Sequence, residues 1–167
     1  MKAKKIIVIG CPGSGKSHFS RALAELSGLP LYHLDMLYWK PDRTTVSKED
    51  FREKLSSVLS KAEWIIDGNY GSTIEMRLAA CDLVFFLDLP TDVCISGIKE
   101  RFGKPRSDIP WIETEEDPEF IEFINSFNIE SRPKILDLFK KYPQKKVVTF
   151  HSRSEADQYL NTLKERP

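Results

Sequence analysis

The chain has 167 residues, of which 41% are hydrophobic and 30% charged, and this length suits a single domain. The composition excludes an intrinsically disordered chain, because disorder requires low hydrophobicity and a high net charge. The 25 Lys and Arg residues balance the 25 Asp and Glu residues, so general electrostatic attraction to nucleic acid or to an anionic membrane is disfavoured.

The apolar runs of the sequence are short. The longest, Leu83–Leu87 and Ile6–Ile9, fall far below the roughly 18 residues that cross a bilayer. The start of the chain is basic, but its apolar stretch is too short for a signal peptide. Three cysteines without metal-ligand spacing, Cys11, Cys81 and Cys94, are typical of free thiols in a reducing compartment. These features predict a cytoplasmic protein with no membrane segment.

The first predicted elements are a strand, a helix and a second strand. Lys5–Ile9 is an unbroken β-branched run, as in strands that are buried on both faces of a parallel sheet. A helix is expected from Gly15 to Gly28, with apolar residues at helical spacing. Leu29–Leu34 is predicted as the second strand, with His33 and Asp35 on the same side of its carboxyl end.

The rest of the chain continues this alternation. The further predicted strands are Trp64–Ile66, Leu83–Leu87 and Lys145–Phe150. The further predicted helices are one from Lys48 to about Ala62, capped by Ser47, one capped by Thr91 and reaching about Phe102, and a last one opened by a capping box of Ser152 and Glu155. Short strands separated by helices need crossover connections, which indicates an α/β fold with a five-stranded parallel sheet. Ligands of such sheets bind beyond the carboxyl ends of the strands.

One motif carries specific chemistry, because the segment GCPGSGKS matches the phosphate-loop pattern G-x-x-x-x-G-K-[ST]. Its glycines allow backbone N–H groups to converge on a phosphate at the N-terminus of the next helix. In such a loop Lys16 reaches the β- and γ-phosphates, and the Ser17 hydroxyl ligates Mg²⁺. The predicted ATP-binding residues are Gly10, Cys11, Pro12, Gly13, Ser14, Gly15, Lys16 and Ser17.

Two aspartates, Asp67 and Asp88, directly follow apolar strands. Either suits the shell of a magnesium ion, and Asp67 is the first choice. For Asp88, a simple role in ending a strand or capping the next helix is an equally good interpretation. The polar stretch after Asp67 includes Asn69 and Tyr70, whose side chains are candidates for holding a phosphoryl acceptor.

Asp35 is the candidate for accepting a proton from the acceptor hydroxyl or orienting it, whereas His33 is interpreted as a packed histidine. The segment Tyr38–Pro41 follows, and two interpretations remain open for its aromatic residues. They cover a planar substrate, or they pack against the following helix.

Arginines outside the loop are expected to stabilise the charge on the transferred phosphoryl group. Arg101 and Arg106 are the favoured candidates and Arg132 is the third. The charged, proline-containing stretch around the first two is interpreted as a mobile lid, with a solvated surface as the alternative.

The sequence resembles the bacterial group called DNA topology modulation proteins, which are small adenylate-kinase-like P-loop proteins. The blocks that carry the resemblance are the phosphate loop, Leu34–Trp39, Trp64–Tyr70, Arg77 and Phe85–Pro90. The resemblance implies a three-layer fold like that of nucleoside monophosphate kinases. It also implies a single domain over residues 1–167, with an acceptor-binding insertion at about 38–62 and a short lid at about 103–119.

The sequence departs from adenylate kinases directly after Asp67. Those enzymes carry Asp-Gly-Phe-Pro-Arg, whereas here Asn69 and Tyr70 follow Gly68, and the nearest arginine is Arg77. Arg77 is therefore the candidate for contacting the acceptor.

Two functions are compatible with these features. The first is an ATP- and Mg²⁺-dependent kinase of a small nucleotide- or nucleoside-like acceptor. The second is an ATP-binding regulatory module linked to DNA topology. Direct DNA binding is disfavoured by the balanced charge and by the lack of a basic stripe on any predicted helix.

Overall fold

The computed structural model describes residues 2–165, in which strands and helices alternate along most of the chain. The strands are β1 (Lys5–Gly10), β2 (Leu31–His33), β3 (Trp64–Asp67), β4 (Leu83–Leu87) and β5 (Lys146–Phe150). The helices are α1 (Lys16–Ser27), α2 (Leu34–Tyr38), α3 (Lys48–Leu59), α4 (Gly71–Ala80), α5 (Thr91–Lys99), α6 (Pro118–Lys141) and α7 (Arg153–Lys164).

The strands form one parallel sheet in the order β2-β3-β1-β4-β5, which confirms the predicted α/β architecture. Strand β1 is central, and Ile6–Ile9 are fully buried, as the β-branched run predicts. The register pairs Val8 and His33 with Asp67, and Gly10 with Leu87. These pairings bring the carboxyl ends of β1, β2, β3 and β4 to one edge of the sheet.

Aromatic packing ties the outer helices to this sheet. Phe19 of α1 contacts Phe85 of β4 and Phe150 of β5, with ring centroids 4.9 and 5.3 Å apart. Tyr159 of α7 contacts the same two strand residues. Burying such large apolar side chains is the main stabilising contribution to a core of this kind, at roughly 1.5–3 kcal/mol for a fully buried residue.

Two of the predicted helix caps are confirmed. Ser47 Oγ accepts a hydrogen bond from the Asp50 amide at 3.0 Å. Ser152 Oγ accepts one from the Glu155 amide at 3.1 Å. The return bond of the capping box is shifted by one residue, because Glu155 Oε2 accepts from the His151 amide.

The predicted cap at Thr91 is wrong, since Pro90 is the cap position of α5 and makes no side-chain cap bond. Thr91 Oγ1 instead accepts a hydrogen bond from Asn128 Nδ2 of α6 at 3.0 Å. The helix ends at Lys99 rather than at about Phe102.

Two helices replace segments that were interpreted otherwise. Strand β2 ends at His33, and Asp35 lies in the first turn of α2, so the placement of Asp35 on a strand is wrong. Helix α6 begins at Pro118, within the segment predicted as a lid, and its start is capped by Asp117 Oδ1. Pro118 suits a first helical position, whereas Pro133 inside α6 obscured the helical pattern in the sequence.

Within residues 2–165, none of the helices combines the length and the apolar character that crossing a bilayer requires.

Candidate functional site

The phosphate loop owes its curvature to glycine. Gly13 and Gly15 have φ values of +83° and +104°, in the left-handed region that favours glycine. A Cβ atom on Gly13 would lie 1.9 Å from the Cys94 carbonyl oxygen of α5. Helix α5 therefore packs directly against the loop, and a side chain at position 13 is excluded by both φ and space.

Side chains distant in sequence hold this loop in place. Asn69 Oδ1 accepts from the Gly10 amide at 3.1 Å, and Asn69 Nδ2 donates to the Gly10 carbonyl at 2.7 Å. Arg153 Nη2 donates to the Gly13 carbonyl at 3.1 Å. Asn69, a sequence-predicted acceptor residue, lines the cleft, but both of its polar atoms are engaged with the loop. We therefore assign Asn69 a positioning role in the structure.

Ser17, Asp67 and Asp108 converge at the start of α1. Ser17 Oγ lies 2.9 Å from Asp67 Oδ2 and 2.6 Å from Asp108 Oδ2. Since a hydroxyl has one proton, it can donate to only one of these carboxylates at a time. His33 Nδ1 lies 2.8 Å from Asp67 Oδ2, so His33 is packed against a carboxylate of the site.

The residues at this point fit a magnesium ion. Asp67 is 4% exposed, and its second oxygen, Oδ1, is buried with no hydrogen-bond partner among the described residues. Carboxylate and hydroxyl oxygens are hard ligands of the kind Mg²⁺ takes. Across residues 2–165, no group of three or more His, Cys, Asp and Glu side chains is arranged to hold a metal. A site here would thus use few protein ligands together with phosphate oxygens, as is usual for Mg²⁺.

Asp108 also anchors a network of ion pairs between α5 and α6. Arg106 Nε and Nη2 donate to its two carboxylate oxygens at 3.0 and 2.5 Å. Burial favours the neutral acid, but the hydrogen bonds from Arg106 and Ser17 outweigh burial and lower the pKa of Asp108 below its usual value. Glu113 accepts from Arg106 Nη1 at 2.6 Å and from Arg101 Nη2 at 3.1 Å. The two arginines thus line the cleft with their charge already paired.

Sequence reasoning did not identify Asp108 or Glu113. The only local signal was the alternation of opposite charges in Arg106-Ser-Asp108. The contact to Ser17 spans 91 residues of sequence and therefore depends on the tertiary fold.

Asp88 and Arg132 are paired with each other. Arg132 Nε and Nη2 donate to the two oxygens of Asp88 at 2.7 and 2.8 Å. Neither residue lines the cleft that contains the phosphate loop. The structure thus contradicts a magnesium role for Asp88 and a phosphoryl-stabilising role for Arg132, because α6 brings this arginine to the end of β4.

Arg77 lies inside the protein and not in the cleft. It is fully buried, and its guanidinium donates to the carbonyls of Gly68 and Asn69 and to Thr73 Oγ1. Burial lowers its pKa to about 9. Its bonds hold the turn before α4, where Tyr70 has a left-handed φ of +41°. The geometry contradicts the expectation that Arg77 contacts the acceptor.

Asp35 and Tyr70 are hydrogen-bonded to each other in the cleft. The Tyr70 hydroxyl donates to Asp35 Oδ1 at 2.6 Å. The other oxygen, Asp35 Oδ2, has no hydrogen-bond partner within the described part of the chain. Burial raises the pKa of Asp35 above its usual value, although the Tyr70 bond opposes this shift. Asp35 is therefore a stronger base than a solvent-exposed aspartate.

The aromatic residues of Tyr38–Pro41 pack against other aromatic side chains and also line the cleft. Tyr38 packs against Phe51 of α3, with ring centroids 5.4 Å apart. Trp39 packs against Trp111, at 5.4 Å. Both Tyr38 and Trp39 also line the cleft.

Many of these groups line one cleft of about 1180 Å³. The sequence-predicted site residues that line it are Pro12, Gly13, Ser14, Gly15, Lys16, Ser17, Asp35, Asp67, Asn69, Tyr70, Arg101 and Arg106. Those that do not are Gly10, Cys11, Arg77, Asp88 and Arg132. The phosphate loop and the Asp35 carboxylate, whose Oδ2 has no hydrogen-bond partner within residues 2–165, therefore line the same cleft.

No family model and no curated protein sequence matches the chain. Among solved structures, the 1.7 Å crystal structure of shikimate kinase from Bacteroides thetaiotaomicron is similar, with a TM-score of 0.56 and 19% sequence identity. The alignment covers 98% of this chain and 97% of that one. This likeness shows the fold but not the DNA topology modulation group. With its five-stranded parallel sheet, the chain has the P-loop fold of the nucleoside monophosphate kinases.

Proposed function

We propose that the protein is an ATP-dependent kinase that transfers the γ-phosphoryl group to a small nucleotide- or nucleoside-like acceptor. One observation carries this proposal. The phosphate loop and the Asp35 carboxylate, with its open Oδ2, line the same cleft. The kinase-like fold supports a phosphotransferase in general terms.

The loop residues 10–17 bind the triphosphate in this proposal. Lys16 Nζ makes a hydrogen bond to the Cys11 carbonyl at 3.2 Å. Exchanging that neutral acceptor for anionic phosphate oxygens strengthens the interaction, because the attraction between opposite charges is added to the hydrogen bond. Ser17 and Asp67 would hold Mg²⁺, which, when bound, neutralises charge on the β- and γ-phosphates.

Asp35 is the proposed base. Its Oδ2 takes the proton of the acceptor hydroxyl, while the acceptor oxygen forms a bond to the γ-phosphorus. The bond from that phosphorus to the β–γ bridging oxygen breaks, and its electron pair leaves with ADP. The raised pKa of Asp35 brings it closer to the range in which a general base is effective.

Arg101 and Arg106 are the proposed stabilisers of the transferred group. Glu113 accepts from both arginines, and Asp108 accepts from Arg106. Both carboxylates belong to the segment proposed as a lid at about 103–119. Engaging a phosphoryl group requires the arginines to exchange a carboxylate for a phosphate oxygen, so a movement of this segment accompanies binding. The proposed acceptor-binding insertion, at about 38–62, supplies Tyr38 and Trp39.

The test is an ADP-release screen with MgATP across nucleosides, nucleotides, sugars and hydroxy acids, shikimate included. At least one acceptor is expected to raise ADP release above the rate without acceptor, and the phosphorylated product is confirmed by mass spectrometry. Lys16→Ala and Asp35→Asn serve as inactive controls. If no compound exceeds acceptor-free ATP hydrolysis, the protein is not a kinase of the proposed class.

A further inference from the structure

The side chains that the span from β2 to α4 contributes to the cleft include carboxylates but no lysine or arginine. We define the acceptor wall as the cleft-lining residues that belong to the span from β2 to α4. They are His33, Asp35, Tyr38, Trp39, Asp67, Gly68, Asn69, Tyr70, Gly71, Ser72 and Ile74. An anionic group placed against this wall would face Asp35 and Asp67 without an opposite charge from the wall itself.

The arginines of the same span, Arg43, Arg52 and Arg77, do not line the cleft, and Arg43 lies over the ring of Trp111. Arg77 is fully buried, and its guanidinium is bound to the Gly68 and Asn69 carbonyls behind the wall. Arg52 is exposed, does not line the cleft, and contacts the Ser72 carbonyl from outside at 3.5 Å. Neither Arg77 nor Arg52 offers a bidentate site for a phosphate or a carboxylate.

The cleft cations lie on other elements. They are Lys16, Arg21, Arg101, Lys104, Arg106, Lys134 and Arg153. Arg101 and Arg106 pair with Glu113 and Asp108, and Arg153 is held by the loop and Glu100. Within residues 2–165, Lys104 and Lys134 are the cleft cations whose side chains have no hydrogen-bond or ion-pair partner.

The wall suits a neutral molecule with a hydroxyl and a flat ring. Asp35 Oδ2 is open to accept a hydrogen bond, and a hydroxyl can donate one. Tyr38 and Tyr70 lie with ring centroids 5.1 Å apart beside this carboxylate, and Trp39 packs on Trp111. Phe120, Phe123 and Phe127 of α6 line the same cleft. Aromatic surfaces of this kind pack well against planar rings.

We infer that the acceptor is an uncharged, nucleoside-like alcohol, phosphorylated on its hydroxyl, rather than a nucleoside monophosphate or a hydroxy acid. This inference rests on the proposed kinase function. A monophosphate would bring a charge of about −1.5 to −2 close to the Asp35 carboxylate, and like charges at such a site repel.

The test compares matched pairs of acceptors with MgATP. Each pair is a nucleoside and its own 5′-monophosphate, such as adenosine and AMP, cytidine and CMP, or thymidine and dTMP. In the pair that the protein uses best, the nucleoside is expected to have a kcat/KM at least about tenfold higher, because specificity follows differential binding. Quinate and gluconate provide the hydroxy-acid arm and are expected to be poor acceptors.

A charge placed on the wall should shift this preference. Ser72→Arg adds a cation at the start of α4 and is expected to raise kcat/KM for the monophosphate relative to the nucleoside by about tenfold. Ser72→Gln, of similar length but uncharged, is the matched control and should not do so. Lys134→Ala is expected to keep the wild-type preference, since the inference assigns no anion to Lys134.

The outcomes separate the two proposals. If a monophosphate or a hydroxy acid is the better acceptor of the wild-type protein, this inference is wrong and the kinase function stands. The inference is also wrong if Lys134→Ala changes the ratio of kcat/KM between the nucleoside and its monophosphate. If no member of any pair raises ADP release, the kinase function and this inference both fail.

Discussion

The loop end and the acceptor end of the cleft obtain their polar groups from different sources. At the loop end, backbone amides and carbonyls of consecutive residues make the site, and Asn69 and Arg153 hold them in position. At the acceptor end, side chains from α2 and from the turn before α4 make the site, centred on Asp35 and Tyr70. Substitutions should therefore separate binding of the triphosphate from transfer to the acceptor.

The charges at the two ends also differ. The loop end has arginines whose charge is paired with Asp108 and Glu113. The acceptor end has a carboxylate whose pKa is raised by burial, and its wall has no cation among the described residues. The loop end suits an anion that displaces the carboxylates from the arginines. The acceptor end suits a neutral group that donates a hydrogen bond to Asp35.

The largest effect is expected from Asp35→Asn. This change keeps the shape of the side chain but removes the proposed base, so kcat should fall by about 10²–10⁴-fold. Binding of MgATP, measured by calorimetry, should stay close to that of the wild type, because Asp35 lies at the acceptor end. Loss of MgATP binding in this variant would show that the two ends are not separable.

The pH dependence of kcat in the wild-type protein also tests Asp35 as the base. Transfer requires the ionised form of Asp35, so kcat should fall as the pH drops through the pKa of this residue. Because burial raises that pKa above the usual 3.8, the acid limb should lie at a higher pH than for an ordinary aspartate. A profile of kcat against pH that stays flat down to pH values near 4 would contradict the assignment of Asp35 as the base.

Lys16→Ala should affect the loop end selectively. Removing a charged donor to the phosphates is expected to weaken MgATP binding by about 10- to 100-fold, since hydrogen bonds to charged groups contribute roughly 1.5–3 kcal/mol. Thermal stabilisation by MgATP measures this loss. Lys104→Ala removes a cleft lysine outside the loop and is the control, with an expected effect well below that of Lys16→Ala. Equal stabilisation of the Lys16 variant and the wild type would contradict triphosphate binding at this loop.

Arg77→Met tests whether the acceptor wall depends on a buried support. It leaves the carbonyls of Gly68 and Asn69 without their donor and should lower the free energy of unfolding by about 2–4 kcal/mol. Arg52→Met is the control, because this exposed arginine also contacts a carbonyl of the same region. Its effect should stay within about 0.5 kcal/mol. Urea denaturation measures both, and a stable Arg77 variant would contradict the structural role.

The smallest effect is expected from Asp108→Asn. The amide keeps the size of the side chain but removes the charge that holds Arg106 and accepts from Ser17. Both groups then become easier for phosphate oxygens to engage, and MgATP affinity should rise by about two- to tenfold. Glu116→Gln is the control, since its exposed pair with Lys99 lies outside the cleft. A fall in MgATP affinity for Asp108→Asn would show that this carboxylate supports nucleotide binding instead.

The functional residues differ in how well the sequence identified them. Loop residues 12–17 were predicted from a local, contiguous motif, and all of them line the cleft. Asp35 was placed at the acceptor end for a partly wrong reason, since it lies on α2 and not on a strand. A five-residue helix is too short for its periodicity to be distinguished from the end of a strand.

The long polar side chains were the least predictable. Three charged residues lie next to motifs that are typical of the cleft, but each is hydrogen-bonded to a partner outside it. They are Arg77, Asp88 and Arg132. Such a side chain reaches several possible neighbours, and only packing decides which of them it meets. Asp108 was missed for the same reason.

By itself, the sequence determined the parallel sheet, the phosphate loop and the caps at Ser47 and Ser152, because hydrophobic periodicity, glycine spacing and capping act over a few residues. Only the tertiary structure decided which charges are free and which are paired. That choice depends on contacts such as Ser17 to Asp108 and Arg132 to Asp88, which join residues 91 and 44 positions apart. The chemistry of the cleft follows from those pairings, since a buried arginine or aspartate with a partner has to exchange that partner before it binds a ligand.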